Sequence, residues 1–491
     1  METAAGQNGA QYVLLRALFV RLVGLVYAIA FLSLWLQVDG LIGSRGILPA
    51  AEYLAKVQAH WGNEAYWRLP TLCWLGADDA ILHVLCGTGA MAALGALVGF
   101  APAIMLLLAW LCYLSLVGAG QAFFSFQWDI LLLETGFLAI FFAPLQWRPC
   151  KVWAAPPSLM VLWLLRWLLF RLMFSSGLVK LLSQDPSWSE FAALNFHYQT
   201  QPLPAWTSWY AQQLPEWMQM ASVGVMFCIE LVVPFVIFAP RRVRLWGCAA
   251  LVFLQVLIGL SGNYGFFNLL SLVLCLLLLD DRALQRLPIL GRLLALGPGR
   301  TWPRWSIAPI AIVVLLLSSM RMGYTTRLSV DWPAPMQQFH AFMQPFYLAN
   351  NYGLFAVMTT QRPEIIVEGS ADGQVWRAYE FKWKPGELSQ APAFMQPHMP
   401  RLDWQMWFAA LRNYKSYPWY SQLMLRLLQG EPKVLDLLGE NPFPQGPPRY
   451  VRARLYQYYF TTWQERNATG NWWRRQEQGL YCPVLSLRKE G

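Results

Sequence analysis

Nine mostly apolar stretches divide the first two-thirds of the chain, and nothing else in the sequence constrains the fold as strongly. They run approximately 14–36, 80–99, 102–119, 126–143, 158–182, 219–239, 243–260, 264–279 and 306–321. An apolar helix of about 20 residues crosses the ~30 Å hydrocarbon core of a bilayer, where only internally bonded backbone is tolerated. The fourth stretch is weakened by Asp129 and Glu134, and the eighth by its shortness. Composition agrees with this reading: 56% of residues are apolar and 13% charged, against about 25% charged in a soluble domain. A soluble globule, a disordered chain and a disulfide-dense secreted scaffold are all excluded.

The net charge of +10 must be located before it is interpreted. Residues 1–321 carry 19 Lys and Arg against 14 Asp and Glu, and residues 322–491 carry 18 against 13, so there is no basic tail for nucleic acid. With the N-terminus inside, the inner loops hold ten basic residues: Arg148, Lys151, Arg241, Arg242, Arg244, Arg282, Arg286, Arg292, Arg300 and Arg304. The outer loops before the ninth span hold only Arg45, Lys56 and Arg68, and 183–218 holds none. Such asymmetry fixes membrane orientation. Losing any one span would swap the sides of everything after it, so nine spans are expected, N-terminus cytoplasmic and C-terminus outside.

The first apolar run is longer than the ~7–15 residue core of a signal peptide and no small-residue cleavage site follows it, so it is expected to remain as a helix. The first outer loop, 37–79, opens on a Gly-rich turn and continues into a helix over 49–60. In the second outer loop, 183–218, Trp206, Trp209 and Trp217 read as an aromatic interface belt. From about 322 the composition becomes that of a water-exposed domain. The segments 364–369 and 374–384 are strands joined at an Asp372-Gly373 hairpin, 404–411 and 420–428 are helices, and 451–456 alternates as a later strand. The fold class is therefore a polytopic α-helical membrane bundle, 1–321, with a C-terminal extracytoplasmic α+β or β-rich domain, 322–491. No internal repeat of the kind many transporters carry is present.

Ionisable residues within a bilayer pair with one another or mark function. Glu134, Arg171 and Glu230 fall near the middle of their spans at matching depth, with Arg166 about a turn and a half toward the inside. Arg171 can pair with Glu134 or with Glu230. This intramembrane cluster either locks the bundle or touches a ligand or proton path. Lys180, near the outer end of the fifth span, is either a desolvated base or a side chain reaching the headgroups. The five His (60, 83, 197, 340 and 398) are scattered, and no metal, nucleophile or phosphate-loop pattern is present, so no metal and no cofactor are expected. Gly95 and Gly99 form a small-xxx-small face, which suits helix packing or an oligomer contact. On this topology only Cys73 and Cys482 face an oxidising side, and a bond between them would tie the C-terminal domain to the first outer loop. Tyr379, Phe381, Trp383, Trp404 and Trp407 form a candidate outer interface or else fill the domain's own core.

Eight stretches resemble the lipase maturation factor family. They are 31–49 (FLSLWLQVDGLIGSRGILP), 124–144 (FSFQWDILLLETGFLAIFFAP), 166–181 (RWLLFRLMFSSGLVKL), 196–204 (FHYQTQPLP), 229–238 (IELVVPFVIF), 262–270 (GNYGFFNLL), 351–381 (NYGLFAVMTTQRPEIIVEGSADGQVWRAYEF) and 397–411 (PHMPRLDWQMWFAAL). Asp129, Glu134, Arg166, Arg171, Lys180 and Glu230 all fall within them. The resemblance implies a multi-pass membrane protein, of the endoplasmic reticulum in animals, that secreted dimeric lipases such as lipoprotein lipase need to reach their active fold. It further implies that the C-terminal lumenal region engages the client protein, and it supplies no catalytic residues. In layout the chain is also similar to membrane proteins of the vitamin K-dependent carboxylase type. In a bacterial host the membrane would be the inner membrane and the outer side the periplasm; the chain ends Leu487-Arg488-Lys489-Glu490-Gly491, with no Lys-Asp-Glu-Leu-type signal.

The leading expectation is a maturation or folding factor that binds exported proteins and is not an enzyme. The rival is a membrane enzyme acting on a lipid or protein in an intramembrane cavity, with Lys180 as base, Arg171 as anion holder and Glu134 beside them. The rival requires a pocket open to lipid or outer water with Lys180 or Glu134 inside it, and a structure with no connected cavity at Glu134, Arg171 and Lys180 would exclude it.

Overall fold

A computed structural model describes residues 12–148, 152–153, 155–286, 296–297, 300–327 and 330–487. Cys150, Lys151 and Arg292 lie outside the described residues. Among the described residues, nine apolar helices occupy the expected stretches: α1 (Val13–Trp35), α2 (Asp79–Val98), α3 (Pro102–Ala119), α4 (Gln127–Phe142), α5 (Leu159–Leu182), α6 (Glu216–Phe238), α7 (Arg241–Ser261), α8 (Phe267–Leu278) and α9 (Arg304–Thr325). Seven are long and apolar enough to cross a membrane; α4 and α8 are not. Seven full-length candidate spans and two shorter apolar helices thus fill the nine expected places. With 16 residues, α4 rises about 24 Å, short of the ~30 Å core. Its interior position compensates, because Asp129, Glu134 and most of its other residues are buried by protein and not by lipid.

Local chemistry sets the helix ends. Asp78 Oδ1 accepts from the Ile81 amide at 2.9 Å to start α2, and Pro102 occupies the first turn of α3. Gly99 closes α2 with φ +83°, a left-handed cap in which the Phe100 amide returns to the Gly95 carbonyl at 2.9 Å. Asp281 accepts from the Val13 and Leu15 amides at 2.8 and 3.0 Å, holding the amino end of α1 to the loop after α8. Outward-facing Val84, Met91, Val225, Phe235, Phe253 and Ile312 are all exposed. So large an exposed apolar surface suits lipid and not water.

The C-terminal region is built on a four-stranded antiparallel sheet of β1 (Arg362–Ser370), β2 (Arg377–Ala378), β3 (Tyr450–Phe460) and β4 (Trp473–Leu485), in the order β2-β1-β3-β4. Asp372 Oδ1 accepts from the Gln374 and Val375 amides, and Gly373 takes φ +80°, which makes the expected hairpin turn. The strand expected over 374–384 is split: Arg377–Ala378 pairs with β1, whereas Glu380–Phe381 pairs with Leu438–Glu440. Helices α10 (Arg401–Ala410) and α11 (Pro418–Gln429) follow the expected aromatic periodicity.

Several expectations are corrected here. Tyr379, Phe381, Trp404 and Trp407 are buried and Trp383 is half-buried, so they are not an open interface. Trp404 packs edge-on to Trp128 of α4 at 4.8 Å, and Trp407 Nε1 donates to the Thr200 carbonyl at 2.8 Å. Trp206 and Trp217 are exposed as an interface belt requires, but Trp209 is fully buried against Trp463 and Trp472. Cys73 and Cys482 are both buried free thiols; Cys73 lies on the Ser115 carbonyl of α3 and Cys482 opposite Ala453 of β3, so the expected bond is not formed. A Cβ at Gly95 would stand 2.9 Å from Met105 of α3, so this glycine makes room for the close approach within the α2–α3 hairpin.

Candidate functional site

Three buried charge clusters and one cavity lie where the bundle meets the C-terminal region. In the first, Arg171 of α5 donates to Glu134 Oε1 of α4 and, through its other Nη, to the Asn350 carbonyl at 3.1 Å. Glu134 Oε2 accepts from the Asn350 amide at 2.9 Å, from Asn350 Nδ2 at 3.0 Å and from the Tyr352 hydroxyl at 2.7 Å. The carboxylate is fully satisfied, as a buried charge must be, and a piece of C-terminal chain supplies three of its four hydrogen bonds.

In the second cluster, Arg401, at the start of α10, makes a two-pronged pair with Asp129 of α4 at 2.7 and 2.9 Å. The remaining Nη1 bond reaches the Phe123 carbonyl at 2.7 Å, and Tyr113 of α3 donates to the same carboxylate. Both side chains are buried: 1% and 0% exposed. In the third, Arg362 of β1 pairs with Glu364 at 2.7 Å and donates to the Gln199, Gln201 and Pro202 carbonyls of the second outer loop. Lys384 completes this cluster at 3.0 Å from Glu364. Asn263 adds an uncharged knot, donating to the Leu203 and Ala393 carbonyls at 3.2 and 2.7 Å and accepting from the Met395 amide at 2.9 Å.

Glu230 pairs with Lys180, at 2.7 Å, and not with Arg171. It sits in a π-helical turn, Cys228–Val232, inside α6; such a turn inserts a residue and rotates the chain that follows. Gly177 lets α5 approach that turn, since a Cβ there would stand 2.9 Å from Glu230 Cβ. Arg166 is separate from the other three, donating to the Leu277 carbonyl at 3.0 Å with its guanidinium over Tyr12 and Trp163. The expected single cluster is therefore two ion pairs and a distinct arginine. Lys180 and Glu230 line a cavity of about 410 Å³ that includes neither Glu134 nor Arg171, so the three residues of the enzyme reading do not come together in it. Among the described residues, no group of three or more His, Cys, Asp or Glu is placed to hold a metal.

The chain matches the family model described as lipase maturation factor transmembrane domain over residues 14–286, more than half its length. It belongs to the lipase maturation factor family. A second model, the lipase maturation factor C-terminal domain, matches 348–483. The chain is 38% identical to lipase maturation factor 2 of Homo sapiens, covering 96% of this chain and 82% of that protein. To lipase maturation factor 1 of Bos taurus it is 36% identical, with 96% and 89% covered. No solved structure matches. The three charge clusters join residues of the two matched regions of this lipase maturation factor family member: Glu134 to Asn350, Asp129 to Arg401, and the loop 199–202 to Arg362.

Two histidines at this junction are held neutral. Burial pushes the His197 imidazole down to about 4, with Lys180 adding to the effect, and burial with Lys382 and Arg401 nearby pushes His398 to about 4 as well. Unfolded, each would titrate near 6.5. Between about pH 6.5 and 4 the unfolded chain thus binds protons that the native chain does not, and their stabilisation, complete above 6.5, is lost as pH falls. Asp403, raised to about 6 by burial, contributes the opposite slope between about 4 and 6 and offsets part of this. Thermal melts of the detergent-solubilised protein are expected to fall from pH 7.5 to 5, and His398→Gln should flatten the dependence; equal slopes in both proteins would contradict this.

Proposed function

We propose that the chain is a membrane-embedded maturation factor for exported lipases, acting by binding and not by catalysis. The observation that carries this reading is the match to proteins named lipase maturation factor 1 and 2, at 34–38% identity over nearly the whole chain. The client is engaged by the C-terminal domain, 322–491, which the inner-loop excess of basic residues supports as the part outside the membrane, with the N-terminus cytoplasmic. In a eukaryotic host that side is the lumen of the endoplasmic reticulum, and in a bacterial one the periplasm.

The sheet supports a docking position for the client. β4 is a 13-residue edge strand, paired only to β3 among the described residues. An unpaired edge offers a row of backbone donors and acceptors to an extended segment of another chain. Leu480 and Val484 are 62% and 49% exposed along its second half, while Arg474, Arg475 and Glu477 charge its first half, so the apolar second half is the part open to a client.

Deleting the domain is a poor test, since it would leave Asp129 buried without its cation Arg401 and strip Glu134 of its bonds from Asn350 and Tyr352. Surface substitution avoids this. Photo-crosslinkers at Gln478 and Leu480 are expected to capture an unfolded or newly folded lipase, and Leu480→Lys with Val484→Lys should reduce capture at least fivefold at unchanged protein level. Equal capture from Trp61, on the first outer loop, would overturn the assignment.

A further inference from the structure

The cavity at Lys180 is walled by α6, α7 and the first turn of α8 and is capped by the outer-loop helix Leu194–Thr200. Its volume falls in the ~300–1,000 Å³ range of small-molecule sites. It reaches the surface where Leu257 and Leu260 of α7, both lining it, are 46% and 51% exposed beside the lipid-facing Phe253. The exposed Trp206, Tyr210 and Trp217 stand on the neighbouring outer-loop and α6 segments, as aromatic side chains do at headgroup level. The opening is therefore toward the bilayer, at its outer interface.

The polar wall defines what can enter. Lys180 and Glu230 neutralise each other at 2.7 Å, so an anionic headgroup would meet a carboxylate and a cationic one an ammonium. His197 is neutral and its tautomer is fixed by its neighbours. The Tyr264 hydroxyl donates to Gln201 Oε1 at 2.7 Å, so the 3.0 Å contact from His197 Nε2 must be an N–H donated to that hydroxyl. Among the buried polar atoms of the lining, one has no partner. Asn268, 4% exposed, gives its Nδ2 to Gln255 Oε1 at 2.9 Å, and its buried Oδ1 has no hydrogen-bond partner. Buried acceptors are seldom left unpaired, and this one asks for a donor. Leu254, Ile258, Phe267 and Leu354 make much of the remaining wall apolar, with Tyr198, Thr207 and Ser222 among its other polar residues.

We propose that this cavity binds an uncharged, hydroxyl-bearing acyl lipid of the glyceride class, entering from the bilayer between α6 and α7, with a lipid hydroxyl donating to Asn268 Oδ1. This site is independent of where a client protein docks.

The test uses the full chain in detergent with three diazirine probes of equal chain length: a monoacylglycerol, a fatty acid and a phosphatidylcholine. The monoacylglycerol probe is expected to label peptides containing 254–268 and to be displaced by excess unlabelled monoacylglycerol. Its labelling should fall at least fivefold in Asn268→Leu, and also in Leu257→Trp, which narrows the opening. The competition in the unsubstituted protein decides the matter even if a variant fails to fold. Labelling that is not displaced, that maps away from the cavity, or that is equal for the fatty acid or the phospholipid overturns the proposal.

Discussion

Replacing Arg401 with Met is expected to destabilise the protein by about 3–5 kcal/mol, because it leaves the Asp129 carboxylate buried without its cation. Asp129 is 0% exposed, and α4 offers it no other positive partner; what remains is one hydrogen bond from Tyr113. Asp129→Leu should cost a similar amount by stranding the guanidinium. The double variant Asp129→Leu/Arg401→Met should recover much of the loss, since an apolar pair of similar volume removes both desolvation costs. Denaturant melts of the four proteins give the coupling energy directly. Limited proteolysis adds a positional readout: the segment around Met395 and Met399, which rests on Asn263, Ser33 and Gln37, is expected to become cleavable in either single variant. Additive single effects with an unchanged cleavage pattern would show that the pair does not join the two regions.

Glu134→Gln is expected to be nearly as costly, about 3–5 kcal/mol, although it preserves shape. The native carboxylate accepts on both oxygens, from Arg171 on one and from Asn350 and Tyr352 on the other. An amide has only one oxygen, so its NH₂ must face donors on one side or the other. Arg171, 2% exposed, meanwhile loses its counter-charge. Tyr352→Phe removes one bond and leaves the pair intact, so its cost should be only about 0.5–1.5 kcal/mol. If Glu134→Gln and Tyr352→Phe were equally mild, the carboxylate would not be the anchor described.

The nine helices were legible because apolar runs of bilayer length have few alternatives. The shortness of α4 and α8 was legible in the same places, in the acidic residues of one and the length of the other. Helical rise placed Glu134 and Arg171 at one depth, and they do pair. Glu230 lies at the same depth, but the π turn at Cys228–Val232 changes its direction, and periodicity at 3.6 residues per turn cannot foresee that. The partners from the C-terminal region, Asn350, Tyr352, Arg362 and Arg401, carry no periodic signal. One clue was available: an Asp129 inside an apolar helix needs a cation, and Arg401 lies in one of the stretches that carry the family resemblance. The alternation over 379–383 predicts one covered face, and Tyr379 and Phe381 are buried, but the strand breaks between Ala378 and Glu380 and its two pieces pair with different partners, while Trp404 of the following helix turns against α4. β4 carries no periodic signal because its first half, Arg474-Arg475-Gln476-Glu477-Gln478, is polar and shows no alternation; among the described residues one side of that strand has no neighbour to bury it.

The central claim is that this membrane protein brings exported lipases to their active fold through its outer domain. It is tested most directly in cells that secrete a lipase but lack their own maturation factor, by measuring secreted lipase activity per unit of lipase antigen. The unsubstituted chain is expected to raise that ratio, whereas Leu480→Lys/Val484→Lys, expressed and folded to the same level, should leave it near the untreated value. A ratio unchanged by the unsubstituted chain, or raised equally by both, would contradict the account.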